Sequence, residues 1–148
     1  MDHPGEPLRI FTLTAHSLTP RRQVDLNMLK KSFRSRIKKY VDAEIREASA
    51  CAKTNDFATA FGHLERAHVL GQASTIEHTR VHLLMLKVGW KKKDWREILG
   101  QLFRIAGAST KTPLGIYPAG NTGGADVSPF KSMPISSDLL EKIKKAQG

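Results

Sequence analysis

Cysteine is almost missing from this 148-residue chain, which carries only Cys51. One thiol excludes an internal disulfide framework and a Cys₂His₂ finger, and it fits a reducing compartment. No apolar run approaches the roughly 18 residues of a membrane span. No basic stretch leads into an apolar one at the amino end, so a secretory signal is not read either, and the expected location is cytoplasmic. Acidic side chains are scarce: 14 Asp and Glu against 24 Lys and Arg leave a formal charge of +10. A Ser-His-Asp set, paired catalytic carboxylates and kinase motifs are all missing. Gly120-Asn121-Thr122-Gly123-Gly124 has neither a Walker lysine nor a preceding strand, so it reads as tight turns rather than a phosphate cradle. No catalytic or organic-cofactor residue is therefore assigned, and enzyme activity enters only through a metal. What remains is ordinary for a folded protein, with 40% hydrophobic and 26% charged residues in a length that suits one domain.

Residues 1–27 read as a flexible extension interrupted by Pro4, Gly5, Pro7 and Pro20, with Arg9 to Thr14 as one short strand lacking a mate. From Leu29 the pattern turns helical. Phe33, Ile37, Tyr40, Val41, Ile45 and Ala48 share one face, and Lys30, Lys31, Arg34, Arg36, Lys38 and Lys39 the other. Asn55 or Asp56 caps a second helix bearing Phe57, Ala60, Leu64 and Ala67, with Gly71 expected just past its end in a positive-φ conformation. Ser74 and Glu77 read as a capping box opening a third helix from Thr75 to about Lys87. Asp94 caps a fourth, and regular structure is expected to stop at Gly107. Lys111 to Ser137 holds four glycines and four prolines and reads as a long loop, before a short last helix over Asp138 to Ala146. The fold class is all-α: a single helical domain over 28–148, built of two antiparallel hairpins with a Gly/Pro-rich C-terminal loop.

The two hairpins share a pattern. Phe57 and Trp95, Ala60 and Ile98, Leu64 and Leu102, and Ala67 and Ile105 each stand 38 residues apart, after an Asp in both cases. This resembles a tetratricopeptide-like helical repeat, at a longer period than that repeat's usual 34 or so.

Four of the six histidines fall within 20 residues: His63, His68, His78 and His82. His78 and His82, four apart on a helix, project from one face about a turn apart. His63 and His68, five apart, diverge by about 140°, which disfavours their sharing one ion. If the chain folds back near Gln72-Ala73, His68 comes opposite His78. His68, His78 and His82 then converge from two helices, with Glu65 or His63 as a fourth ligand. Imidazoles with one carboxylate suit zinc, copper, nickel or iron, and affinity is expected to fall below about pH 6 as the rings protonate. The competing reading makes these packed or hydrogen-bonded core histidines. On the first reading the protein is a non-catalytic accessory that buffers, delivers or senses a transition metal. The alternative is a helical-repeat module that binds a protein partner and uses no metal. A metal-dependent hydrolase with an open coordination position is a third reading.

Positive charge concentrates at residues 28–53 and 91–111. Such faces can contact phosphates in a salt-dependent way, or simply stay solvated. No helix-turn-helix pattern supports nucleic-acid readout. Oligomeric state is not legible.

His63-Leu64-Glu65-Arg66-Ala67-His68-Val69-Leu70-Gly71-Gln72, His78-Thr79-Arg80-Val81-His82, Gly100 to Gly107 and Gly120 to Gly124 together resemble a small bacterial domain family of unknown function. The likeness runs from about Leu29 to Ile143. It implies a bacterial source and a single design embracing the histidines and the glycine segment, and it brings no activity with it.

Overall fold

The computed structural model describes residues 20–148, with side chains from Val24 onward. Five α-helices and no strand are found among the described residues: α1 (Pro20–Lys53), α2 (Phe57–Gly71), α3 (Thr75–Lys92), α4 (Trp95–Lys111) and α5 (Ser137–Gln147). A 3-10 turn, Thr112–Leu114, follows α4 directly. The possible strand at Arg9 to Thr14 lies outside the described residues.

α1 pairs with α2 and α3 with α4 as two hairpins, α2 packs on α3, and α5 lies across α1 and α2. The apolar stripe read from the sequence is what α1 buries. Ile37 and Val41 are fully enclosed, and they meet Leu64, Ala67 and Leu70 of α2, Val81 and Met85 of α3, and Leu139 and Ile143 of α5 in one core. Each of the larger of these side chains contributes roughly 1.5–3 kcal/mol through its burial. Part of α1's basic face is committed as well. Arg36 donates from Nε to Ala146 O at 2.6 Å, supplying charge and donors to carbonyls that end α5 without helical partners. Arg34 pairs at 3.3 Å with the fully buried Glu77 of α3, which Arg80 also holds at 3.0 Å.

The 38-residue repeat is visible in backbone detail. Asn55 and Lys93 both take positive φ, at 61° and 56°. The next residues, Asp56 and Asp94, each accept a hydrogen bond from the backbone N–H three positions on, both at 3.1 Å. Their own amides return to Cys51 O and Gly89 O, again 38 apart. The surroundings then diverge. α2 is enclosed by α1, α3 and α5, whereas among the described helices α4 packs chiefly on α3 and meets the glycine segment on the same inward side. Leu64 is therefore buried while its counterpart Leu102 is exposed.

Several expectations need correction. α1 starts at Pro20 rather than Leu29; proline suits a first helical turn, where its missing N–H costs nothing. Gly71 lies inside α2 without positive φ, and a Cβ there would stand 3.1 Å from Glu77 Cβ, so the small residue permits close approach of α3. Ser74 is the N-cap of α3 but makes no side-chain cap bond, and the Glu77 carboxylate, the other half of the expected box, is held by two arginines instead. α4 continues past Gly107, which does not take the positive φ of a helix stop, to Lys111.

Candidate metal centre

His68 comes from α2, and His78 and His82 from α3 one turn apart. The α2–α3 turn, closed by Ser74 N donating to Gly71 O at 2.8 Å, folds the two helices face to face. The three rings meet with centroids 4.6, 4.6 and 4.9 Å apart. One ligand nitrogen from each lies within 4.8 Å of the others. All three residues are buried, at 2%, 7% and 2% exposure.

Each ring is oriented through Nδ1. His68 Nδ1 sits 2.7 Å from Asn121 O. A carbonyl oxygen only accepts, so this nitrogen carries the proton and Nε2 presents its lone pair. His82 Nδ1 lies 2.6 Å from Gln101 Oε1. The amide of Gln101 is fixed by its other end, which donates to Gly123 O at 2.8 Å and to Glu97 Oε1 at 2.5 Å. Its oxygen therefore faces His82, and His82 is also an Nδ1–H tautomer. His78 Nδ1 is 2.8 Å from Thr112 Oγ1 of the 3-10 turn, leaving its Nε2 as the ligand atom.

One contact does not fit a neutral network. His68 Nε2 and His82 Nε2 stand 3.1 Å apart. With both protons fixed at Nδ1, two lone pairs face each other across that gap, and no hydrogen bond joins them. The edge of a tetrahedral zinc site, with Zn–N of about 2.05 Å, is about 3.3 Å. This pair already has that spacing, and the third ring needs to close by about 1.5 Å on the same scale.

Burial first, then mutual repulsion and the nearby Arg104 charge, pushes the imidazoles toward neutrality. His78 falls to about 3, His82 to about 4, and His68 well below its usual value. Hydrogen bonds from His82 to Gln101 and from His68 to Asn121 oppose the shift without reversing it. The expected loss of affinity below about pH 6 is corrected accordingly. In the folded protein, protons compete for these nitrogens only at lower pH.

His63 and Glu65 are placed elsewhere. His63 Nδ1 is 2.9 Å from Glu44 Oε2 of α1, in an ionic group with Arg66, Lys142 and Asp138. The divergence of residues five apart on a helix sends it to the opposite side from His68. Glu65 stands against the glycine segment, near Thr122, Glu97 and Asp126, where burial raises its carboxyl. The trio therefore contains neither residue.

The orienting groups escaped sequence reading. Gln101, Asn121 and Thr112 are all buried, at 0%, 1% and 5% exposure. The glycine segment is not a set of bare turns: it is packed over the trio. Asn121 donates from Nδ2 to Ser128 O and Lys131 O, and Gly123 N donates to its Oδ1. Gly123 has φ of +86°, and a Cβ there would lie 2.8 Å from the His68 ring. Arg104 ties the same segment to α4 through Gly124 O at 2.8 Å. A signal was present in Glu97, Gln101 and Arg104, polar residues at helical spacing on the face opposite Leu99, Leu102 and Phe103. That pattern reverses the usual amphipathic sense, since here the polar side faces in.

Fold and site together define an all-α protein of packed helical hairpins with a buried three-histidine cluster of metal-ligand geometry. The chain belongs to the family described as proteins of unknown function, DUF3703, whose family model matches residues 35–143. The match spans the three histidines and all their orienting partners. No curated protein and no solved structure matches the chain.

Proposed function

We propose that this protein binds a divalent transition metal through His68, His78 and His82, as a non-catalytic accessory that buffers, delivers or senses the ion. The observation that carries this reading is the 3.1 Å approach of His68 Nε2 and His82 Nε2, two rings whose Nδ1 atoms are each turned onto a carbonyl oxygen. A structural histidine core would place an N–H against an acceptor there. Outward hydrogen bonds from ligand imidazoles to carbonyl, amide or hydroxyl oxygen are also the support that metal-binding histidines commonly have. Three neutral nitrogen ligands suit zinc, nickel, copper or cobalt, and leave a fourth position to solvent or an exchangeable ligand.

The outward stripe of α4 favours a second reading. Trp95, Leu99, Leu102 and Phe103 are all more than half exposed on one helix face, which supports an interaction module. One titration separates the two. Untagged protein, stripped with chelator, is titrated with zinc, cobalt and nickel while stoichiometry and melting temperature are followed. The metal reading expects one ion per chain and stabilisation of about 2.7 kcal/mol at a free metal concentration 100 times Kd. A His78→Ala, His82→Ala variant should lose both, and a Leu99→Ser, Leu102→Ser variant should keep both. Equal metal uptake by wild type and the histidine variant would refute the metal reading.

A further inference from the structure

The three imidazoles line one wall of a cavity of about 670 Å³ that opens between α4 and the segment from Thr112 to Ser132. That volume lies within the roughly 300–1,000 Å³ typical of small-molecule sites. We propose that the cavity takes a small organic carboxylate, its head on the metal's open position and its hydrocarbon body along the cavity toward the mouth. The inference rests on the metal reading and adds the class of ligand.

Three observations carry it. The first is charge. The cavity is lined by Arg104 and Lys111 and by no aspartate or glutamate. Arg104 is 8% exposed, and no carboxylate lies within ion-pair distance of it among the described residues. With a divalent ion on the trio, every full charge on the wall is positive, which selects an anion.

The second is an orphan donor. The Tyr117 hydroxyl is buried and has no hydrogen-bond partner among the described residues, although Tyr117 lines this cavity. A buried polar group without a partner is costly and uncommon in a folded protein. Burial also keeps the phenol protonated, with its pKa pushed up to about 12, so it remains a donor; the hydroxyl is closed off from solvent, and a carboxylate oxygen engages it on displacing the wall that covers it.

The third is the apolar mouth. Phe103, Ile116 and Phe130 line the cavity while remaining 60%, 60% and 70% exposed. The Lys111 ammonium stands 5.0 Å from the Phe130 ring centre, so a cation is stationed beside this hydrocarbon rim. Binding is ligand exchange: a carboxylate oxygen forms a bond to the ion as a water molecule leaves, with no change of oxidation state.

The test uses the full chain loaded with cobalt(II), whose visible bands report the coordination shell. Acetate, hexanoate and hexylamine serve as probes. Each buried methylene is worth about fourfold in affinity. Hexanoate should therefore perturb the bands at a concentration at least tenfold below acetate, and hexylamine should leave them unchanged. Tyr117→Phe should weaken hexanoate about tenfold while the spectrum without ligand stays as in wild type. Phe103→Ser, at an exposed position, should reduce the preference for hexanoate over acetate. Failure to take up cobalt would remove the metal reading, and this inference with it. Cobalt uptake with hexanoate no tighter than acetate, or with hexylamine equally effective, would overturn the carboxylate pocket and leave the metal site standing.

Discussion

Lowering the pH from 7 to 5 tests the buried neutral trio without any metal. In the unfolded chain, His78 and His82 protonate near 6.5; in the folded protein they do so at about 3 and about 4. The sign follows from proton uptake. Between those values the unfolded state binds more protons, so stability falls as pH falls. The stabilisation relative to acid is complete above about pH 6.5 and drains away down to the folded values. At pH 5 each ring has lost about 1.5 units' worth, which is about 2 kcal/mol, and the pair about 4 kcal/mol. His68 acts in the same direction. Asp42, Glu44 and Asp138 contribute little in this window, because their carboxyls are lowered and titrate further down. Glu65 works in the opposite sense, its raised carboxyl gaining a proton in the folded state on acidification. A double variant, His78→Gln with His82→Gln, subtracts Glu65 and any other background. The assay is urea unfolding of chelator-treated protein at pH 7 and pH 5, for wild type and variant. Wild type should lose about 4 kcal/mol more than the variant. A difference below about 1 kcal/mol would mean that the rings are not buried as neutral groups, and the coordination argument would fall with it.

Two further outcomes probe how the rings are held. Gln101→Leu removes the oxygen that fixes the His82 tautomer and leaves Gly123 O without its side-chain donor. It should lower metal affinity 10- to 100-fold by titration, and cost about 1–3 kcal/mol in urea unfolding; unchanged affinity would separate Gln101 from the site. Gly123→Ala puts a methyl group 2.8 Å from the His68 ring on a backbone at φ of +86°. A loss of more than about 2 kcal/mol, together with loss of metal binding, is expected; a variant as stable as wild type would show that the loop does not sit on the ring.

Much of the fold was legible because its signals are local. Asp56 and Asp94 announce helix starts by side-chain chemistry, and the stripe through Ile37 and Val41 announces the buried face of α1 by period. The pairing of His78 with His82 follows from helical pitch alone, and the approach of His68 follows once the chain turns back at Gln72. The fourth-ligand assignment was beyond such reasoning. Glu65 stands three residues before His68 on the same side of the helix, yet it packs against the glycine segment near Thr122 and Gly124, and His63, five residues before His68, faces away. His63 ends on Glu44 instead, 19 positions back along the chain.

The amino-acid sequence by itself determined the order of the helices, the repeated Asp-led turn and the convergence of three imidazoles, since all of these depend on short-range periodicity and one chain reversal. Only tertiary structure decided which proton each ring carries and where the open side of the cluster faces. Those depend on Gln101, Thr112 and Asn121, up to 53 positions from the rings they hold. The physical reason is that a tautomer is set by the partner that burial forces on a ring, and a glycine-rich segment of no regular period gives no advance sign of where its carbonyls will settle.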